Sequence, residues 1–146
     1  MAAPTQGRCN GARRAGNRNG AGMAVILVID DDEDVRDVIS MTLARAGYEV
    51  ETAEDGDKGM MAVKGRLGTP FDLVVCDIFM PGKDGIEFLG SLRELYPTLP
   101  VIAVTGGFTG VKKPYADSMT AMGAVQSLLK PFTPAELLTA VESALN

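Results

Sequence analysis

The sequence predicts an α/β protein, a doubly wound five-stranded parallel sheet covered by helices on both faces in three layers. Five short apolar runs rich in β-branched residues alternate with segments whose apolar residues recur at helical spacing. The runs contain few polar residues, which is typical of strands buried on both faces of a parallel sheet. A chain in which strands and helices alternate joins its parallel strands by helical crossovers, and this favours the doubly wound class.

The elements follow in order along the chain. The predicted strands are Val25–Ile29, Tyr48–Ala53, the run from Phe71 to Cys76 that ends at Asp77, Pro100–Thr105 and Val125–Leu129. The first helix follows the acid run 30–34 and ends at Gly47, and the second is Gly56–Arg66. The third runs from the turn at Asp84 and Gly85 to Leu95, a short fourth spans Tyr115–Met122, and the last is Thr133–Leu145. Thr133 is its predicted cap, with Pro134 at the first helical position and Glu136 completing a capping box.

The charge distribution divides the chain into two parts. Residues 1–22 contain four arginines and no acid, whereas residues 23–146 hold ten basic side chains against nineteen acids, a net charge of −9. The first part has almost nothing to bury and is predicted to be a disordered basic tail, or the product of a start assigned upstream of Met23. Its arginines are weak evidence for twin-arginine export or nucleic-acid contact. Residues 23–146 are predicted to form one domain.

Composition also bounds the protein's location. With 46% hydrophobic residues the domain can bury a real core, yet no apolar run is long enough to span a membrane and the N-terminus lacks the apolar segment of a secretory signal. A cytoplasmic protein without membrane contact is therefore expected. Cys9 lies in the polar tail and Cys76 in a buried strand, so both are expected to be reduced thiols.

Chemically active side chains follow four of the five strands. Asp30 and Asp31 end the first, Asp77 the third, Thr105 the fourth and Lys130 the fifth. The carboxyl ends of parallel strands share one edge of the sheet, where ligands bind. Crowded carboxylates repel unless a cation lies among them, and Mg²⁺ suits hard oxygen ligands. The hydroxyl and the ammonium could hold a phosphoryl group, so the pattern predicts phosphoryl transfer with Asp77 as the nucleophile.

Four motifs make the chain resemble a known family. The segments ILVIDDDEDVR, CDIFMPGKDG, VIAVTGG and LLKPF, spaced between Val25 and Leu145, resemble a response-regulator receiver domain of two-component signalling. The resemblance implies the flavodoxin-like strand order 2-1-3-4-5. It also implies a protein that takes a phosphoryl group from a sensor histidine kinase or a histidine phosphotransfer protein. Such a protein catalyses only its own phosphorylation and dephosphorylation.

The resemblance assigns a role to each site residue. Asp77 is the implied phospho-acceptor, and Asp30, Asp31, Asp77 and the main-chain carbonyl of Phe79 would hold Mg²⁺. Thr105 would bond a phosphoryl oxygen. Lys130 would form an ion pair at the site and precede a cis peptide bond to Pro131.

Other interpretations remain open at this stage. Asp30, Asp32 and Asp34 alternate as in a calcium-binding EF-hand loop, but Val35 and Met41 stand where that loop needs Gly and Glu. A haloacid-dehalogenase-like phosphatase would use Asp30 and Asp32 as its acid pair, and Asp34 stands where that family has Thr or Val. A receiver that serves only as a docking module, without phosphorylation, is the third alternative.

The chain departs from the family pattern in two places. Ser127 stands three residues before Lys130, where many receivers have an aromatic residue that moves inward on activation. The segment Gly106–Pro114 is longer than in short receivers, and its glycines favour a loop rearrangement as the readout. The sequence shows neither a DNA-binding nor an enzymatic output domain. The expected partner is therefore an unknown downstream protein, and no nucleic-acid partner is expected.

Overall fold

The computed structural model describes residues 23–66, 68–77, 85–105 and 126–145, without the side chains of residues 85, 86 and 105. The predictions for the tail 1–22, for Asp84, for the loop Gly106–Pro114 and for the helix Tyr115–Met122 lie outside these residues. Within them, no helix combines the length and apolar character needed to cross a bilayer.

The sheet confirms the predicted fold class. Its five parallel strands are β1 (Val25–Ile29), β2 (Glu49–Ala53), β3 (Leu73–Asp77), β4 (Val101–Thr105) and β5 (Gln126–Leu129). Their order across the sheet is β2-β1-β3-β4-β5, as the family resemblance implied. The two strands that end in acids, β1 and β3, are therefore neighbours near the middle of the sheet.

Four helices occur in the described residues: α1 (Glu33–Arg45), α2 (Gly56–Lys64), α3 (Gly85–Leu95) and α4 (Pro134–Leu145). Gly47 follows α1 with a φ of 101°, a left-handed conformation that favours glycine and confirms the predicted end of that helix. Thr133 and Glu136 form the predicted capping box, in which each side chain accepts the other's main-chain N–H at 3.0 and 2.8 Å. The end of α1 and the start of α4 are therefore confirmed as predicted, at the places where Gly47 and Thr133 mark them.

Several predicted boundaries differ from the structure by one or two residues: β3 begins at Leu73 rather than Phe71, β4 at Val101 rather than Pro100, and α1 at Glu33, inside the acid run that was predicted to precede it. Strand β2 begins at Glu49 rather than Tyr48, because the Tyr48 N–H donates to the carbonyl of Leu43 and closes the end of α1. Helix α2 ends before Arg66, whose guanidinium instead contacts the carboxylate of Glu51 at 2.7 Å and the carbonyl of Thr69 at 3.0 Å. The Tyr48 contact belongs to the end of α1 itself, whereas the Arg66 contact joins the segment after α2 to strand β2.

Both faces of the sheet are covered by apolar side chains. The first core cluster lies between the sheet and helices α2 and α3, and the second lies between the sheet and helices α1 and α4. Alternate residues of each central strand enter opposite clusters, since successive side chains of a strand point to opposite faces. In β1 these are Leu27 and Ile29 on the first side, and Ile26 and Val28 on the second.

The beginnings of β1 and β3 are joined by two hydrogen bonds. The Val25 N–H donates to Oδ2 of Asp72, and the Asp72 N–H donates to the carbonyl of Val25, each at 2.8 Å. This pair fixes the register, in which Ile29 lies opposite Cys76. The residues that follow, Asp30 and Asp77, must then emerge side by side.

Gly59 allows α2 to approach β1 closely. A Cβ at this position would lie 2.5 Å from Cδ1 of Ile29 and 3.2 Å from Cε1 of Phe88, and both side chains are fully buried. Because the surrounding core is closely packed, neither neighbour can move away without cost.

We expect Gly59→Ala to lower the free energy of unfolding by about 1 kcal/mol. Overpacking of about 1–3 kcal/mol would outweigh the gain of about 1 kcal/mol from replacing a helical glycine. Gly90→Ala in α3 is the matched control, since its Cβ would meet nothing within 4 Å. Urea denaturation should show opposite shifts for the two variants, and a stabilised Gly59→Ala would contradict the close packing.

Candidate functional site

Two acidic side chains lie together at the carboxyl edge of the sheet. Asp77 is the last residue of β3, and Asp30 directly follows β1, its neighbour. Strand alternation places both on the side of the sheet that carries α1 and α4, in line with Val28 and Val75 of the second core cluster. Neighbouring strands are about 4.8 Å apart, so this register alone brings the two carboxylates close.

The two acids are buried and a third lies beside them. The exposed fraction is 1% for Asp30 and 4% for Asp77, whereas Asp31 is exposed. One carboxylate oxygen from each of the three residues lies within 4.8 Å of the others. Carboxylates this close repel one another strongly, above all the two that are buried, so the site needs a positive charge.

Lys130, which directly follows the edge strand β5, provides a positive charge. Its Nζ lies 3.0 Å from Oδ2 of Asp30 and 3.1 Å from Oδ2 of Asp77. Burial by itself lowers the pKa of Lys130, but its close ion-pair contacts with the two aspartates outweigh this effect and raise the pKa above its ordinary value. The lysine therefore remains an ammonium ion inside the site. The Lys130-Pro131 peptide bond is cis, as the resemblance implied.

The two carboxylate oxygens of Asp30 have different partners. Oδ1 accepts the main-chain N–H of Asp32 at 2.9 Å, which fixes the carboxylate relative to the start of α1. Oδ2 is buried and close to the Lys130 ammonium, but it accepts no well-aligned hydrogen bond from the described residues. A buried carboxylate oxygen in that state can serve as a ligand for a cation.

Asp32 is not among the three acids whose oxygens converge, and it has a structural role instead. It caps α1, accepting the N–H groups of Asp34 at 2.9 Å and Val35 at 3.4 Å. Because helix α1 already begins at Glu33, the twelve-residue loop of an EF-hand does not form from Asp30 onward. The same cap removes Asp32 from the acid pair that a haloacid-dehalogenase-like phosphatase would need.

The structure describes only part of the two other predicted site residues, Thr105 and Phe79. Thr105 ends β4, the strand next to β3, with Leu129 opposite it in β5; its side chain lies outside the described part of the chain. Phe79, whose carbonyl was a predicted metal ligand, also lies outside it. The structure thus brings together Asp30, Asp31, Asp77 and Lys130, and it places only the main chain of Thr105 at the same edge.

Sequence reasoning missed a further contact to the site. Nη1 of Arg36 donates to the main-chain carbonyl of Asp30 at 2.8 Å. The only signal in the sequence is an arginine in the helix that follows the acid run. Arg36 is the last residue of the motif ILVIDDDEDVR, but the motif alone does not show that its guanidinium reaches back to Asp30.

The donor set fits a hard divalent cation. Three carboxylates converge within 4.8 Å, and one buried oxygen among them lacks an aligned donor. Magnesium prefers such oxygen ligands and commonly retains several waters, which the exposed position of Asp31 at the rim would allow. The geometry of Asp30, Asp31 and Asp77 is therefore compatible with Mg²⁺.

Comparison with known proteins gives one consistent family. The family model described as "Response regulator receiver domain" matches residues 26–142. Among curated proteins, the chain is 34% identical over 123 residues to the DNA-binding transcriptional regulator NtrC of Azospirillum brasilense. It is 35% identical over 121 residues to the transcriptional regulatory protein ResD of Bacillus subtilis. These matches cover 84% and 83% of this chain but only 24% and 48% of the two relatives.

Solved structures agree in fold and extent. The chemotaxis protein CheY4 of Vibrio cholerae is 34% identical with a TM-score of 0.74, and the match covers 84% of this chain and 99% of that chain. The receiver domain of NtrX from Brucella abortus is 34% identical with a TM-score of 0.75, covering 82% and 97% respectively.

We expect Lys130→Met to lower the free energy of unfolding by about 2 kcal/mol in metal-free buffer. Removing one partner of a fully buried ion pair costs roughly 3–5 kcal/mol, and Lys130, whose side chain is 23% exposed, should cost less. Added Mg²⁺ should recover part of the loss, because it supplies the missing positive charge.

Lys58→Met is the control for this experiment. Lys58 lies 2.7 Å from Glu54 in an exposed pair, with side-chain exposures of 58% and 49%, so its removal should not measurably change the urea midpoint. Equal midpoints for wild type and Lys130→Met would show that the lysine does not offset the charge of the two buried acids.

Proposed function

Because the chain belongs to the response regulator receiver domain family, we propose that Asp77 accepts a phosphoryl group in a Mg²⁺-dependent reaction. The donor is a phosphohistidine on a sensor histidine kinase or a histidine phosphotransfer protein. The resulting change at the sheet edge alters binding to a partner protein. The chain catalyses no reaction on other molecules and promotes only its own phosphorylation and dephosphorylation.

One observation carries the proposal. Asp77 is a buried carboxylate at the end of the central strand β3, 3.1 Å from an ammonium and within 4.8 Å of two further acids. Asp30 directly follows β1, and its Oδ1 accepts the Asp32 N–H at 2.9 Å, a contact that orients its carboxylate for a role as metal ligand. Asp31 is exposed at the rim. The three acids thus have separable roles, with Asp77 as the acceptor and the other two as metal ligands.

The chain's residues would act on the phosphoryl group by position and charge. A carboxylate oxygen of Asp77 forms the bond to phosphorus while the bond from phosphorus to the donor's imidazole nitrogen breaks, and the electron pair leaves with that nitrogen. Lys130 lies where its ammonium can stabilise negative charge on a phosphoryl oxygen. Thr105, at the end of the adjacent strand, is proposed to donate its hydroxyl to another.

Magnesium would be held by Asp30, Asp31, Asp77 and the main-chain carbonyl of Phe79. When bound, the ion supplies the positive charge that lets an anionic phosphodonor approach three carboxylates. Asp30 is held in place for this role by its own contacts, since its Oδ1 is fixed by the Asp32 N–H at 2.9 Å.

The output of the domain is proposed to be a protein contact. Ser127 lies in β5 and is exposed, three residues before Lys130, so the site lacks the aromatic side chain that many receivers have there. The loop Gly106–Lys113 is the proposed moving element in its place.

The chain spans about a quarter of NtrC and about half of ResD, so the activities of those whole proteins do not transfer to it directly. We also propose that the protein is cytoplasmic and that residues 1–22 are a tail outside the receiver domain, residues 23–146.

We expect a small phosphodonor with Mg²⁺ to place one phosphoryl group on the wild-type protein. Asp77→Asn should reduce the incorporated label at least about 100-fold, because an amide oxygen is a poor nucleophile. A chelator should have the same effect on the wild type. Intact-protein mass spectrometry measures the stoichiometry, and peptide mapping after trapping of the acyl phosphate identifies the site.

Asp37→Asn is the matched control, since Asp37 is an exposed acid on α1. It should be labelled as the wild type is. Label that persists in Asp77→Asn, or that a chelator does not reduce, would contradict the assignment of Asp77. A wild type that takes no label from any donor would favour a domain that docks without phosphorylation.

A further inference from the structure

The main-chain carbonyl of Asp30 lies just past the last residue of strand β1. Strand β1 ends at Ile29, and the Asp30 N–H still donates to the carbonyl of Ala53 in β2 at 3.2 Å. The carbonyl of Asp30 comes after the last ladder position, and helix α1 does not begin until Glu33. The peptide group between Asp30 and Asp31 therefore joins two rigid elements without belonging to either.

Arg36 holds this peptide group. Its Nη1 donates to the Asp30 carbonyl at 2.8 Å across a partly buried contact. The guanidinium is delivered by a rigid helix, because Asp32 caps α1, the Arg36 N–H donates to the Asp32 carbonyl at 2.9 Å, and Ile39 and Leu43 are fully buried. The arginine thus reaches back from α1 to Asp30, the residue that directly follows β1.

This contact fixes the directions of two carboxylates together. The peptide plane between Asp30 and Asp31 determines where the side chain of Asp31 leaves the backbone. On the other side of the same α-carbon, Oδ1 of Asp30 depends on the Asp32 N–H, whose position changes if the loop rotates. Rotation of one peptide group would therefore displace both acids relative to Asp77.

We propose that Arg36 is a positioning residue for the site: by its hydrogen bond to the Asp30 carbonyl, it holds Asp30 and Asp31 in the arrangement that binds a divalent cation. The inference rests on the proposed function, since it concerns the cation site on which phosphoryl transfer to Asp77 depends. Arg36 itself touches neither the metal nor the phosphoryl group.

A second effect of Arg36 would have the opposite sign. Its guanidinium is a positive charge near the acid run 30–34, and such a charge weakens the binding of a cation by repulsion. If Arg36 acted through charge alone, removing it would tighten Mg²⁺ binding, and high salt would abolish the difference. If it acts by positioning, its removal weakens Mg²⁺ binding and the difference persists in high salt.

The test compares Arg36→Met with Arg45→Met, a control that removes a positive charge from the last turn of the same helix. Calorimetry should show Mg²⁺ binding about tenfold weaker in Arg36→Met, the effect typical of losing a partner that orients metal ligands. The difference should remain at 0.5 M salt. Arg45→Met should bind as the wild type does. In metal-free protein, the Asp32 amide proton should exchange faster in Arg36→Met than in wild type.

A measurement on the wild type removes any dependence on how well the variant folds. The guanidinium protons of Arg36 should give resolved, slowly exchanging NMR signals, whereas those of the exposed Arg45 should be averaged by rotation. Mg²⁺ binding that is unchanged or tighter in Arg36→Met, or averaged Arg36 signals, would overturn the inference. If wild type binds Mg²⁺ but takes no phosphoryl label, the proposed function fails while the calorimetry and NMR still decide the role of Arg36.

Discussion

The arrangement of the site depends on one electrostatic constraint, the burial of Asp30 and Asp77 side by side with the ammonium of Lys130 3.0 and 3.1 Å away. Two apolar cores hold β1 and β3 in register, so the acids cannot separate to relieve their repulsion. The lysine comes from β5 and passes the end of β4 to reach them. An ion pair built across four strands makes the carboxyl edge a single charged unit. If Asp77 accepts a phosphoryl group, as proposed, the added negative charge would alter the electrostatic balance among Asp30, Asp77 and Lys130.

Much of this arrangement could be predicted because it follows from strand alternation. Five apolar runs placed the strands, and the parallel sheet brought the residues after β1, β3 and β5 to one edge, so Asp30, Asp77 and Lys130 were predicted together. The predictions were incomplete where local chemistry offers equivalent choices. Asp30, Asp31 and Asp32 are consecutive acids, and only the helix start shows that Asp32 is a cap. Arg36 lies in a quoted motif without an assigned role, and only the fold shows that its guanidinium reaches the Asp30 carbonyl.

The boundary differences have the same origin. Tyr48 carries good strand propensity, yet its N–H is used to close α1, and Arg66 could extend α2, yet it pairs with Glu51 instead. The Tyr48 contact reaches back only to Leu43 in the preceding helix, whereas the Arg66 contact with Glu51 joins two elements that a short sequence window does not contain together. The matches to relatives cover very different shares of those proteins, 99% of the CheY4 chain but only 24% of NtrC.

The central claim is that Asp30, Asp31 and Asp77 form one cation site at the sheet edge. A Mg²⁺ titration of the ¹⁵N-labelled protein, followed residue by residue by NMR, tests it most directly. We expect saturable shifts with a single dissociation constant at the amides of residues 30–32 and 76–77, and their loss in Asp77→Asn. Small, unsaturated shifts spread over exposed acids such as Glu33, Asp37 and Glu94 would contradict the claim, because they would show only diffuse attraction to a negatively charged surface.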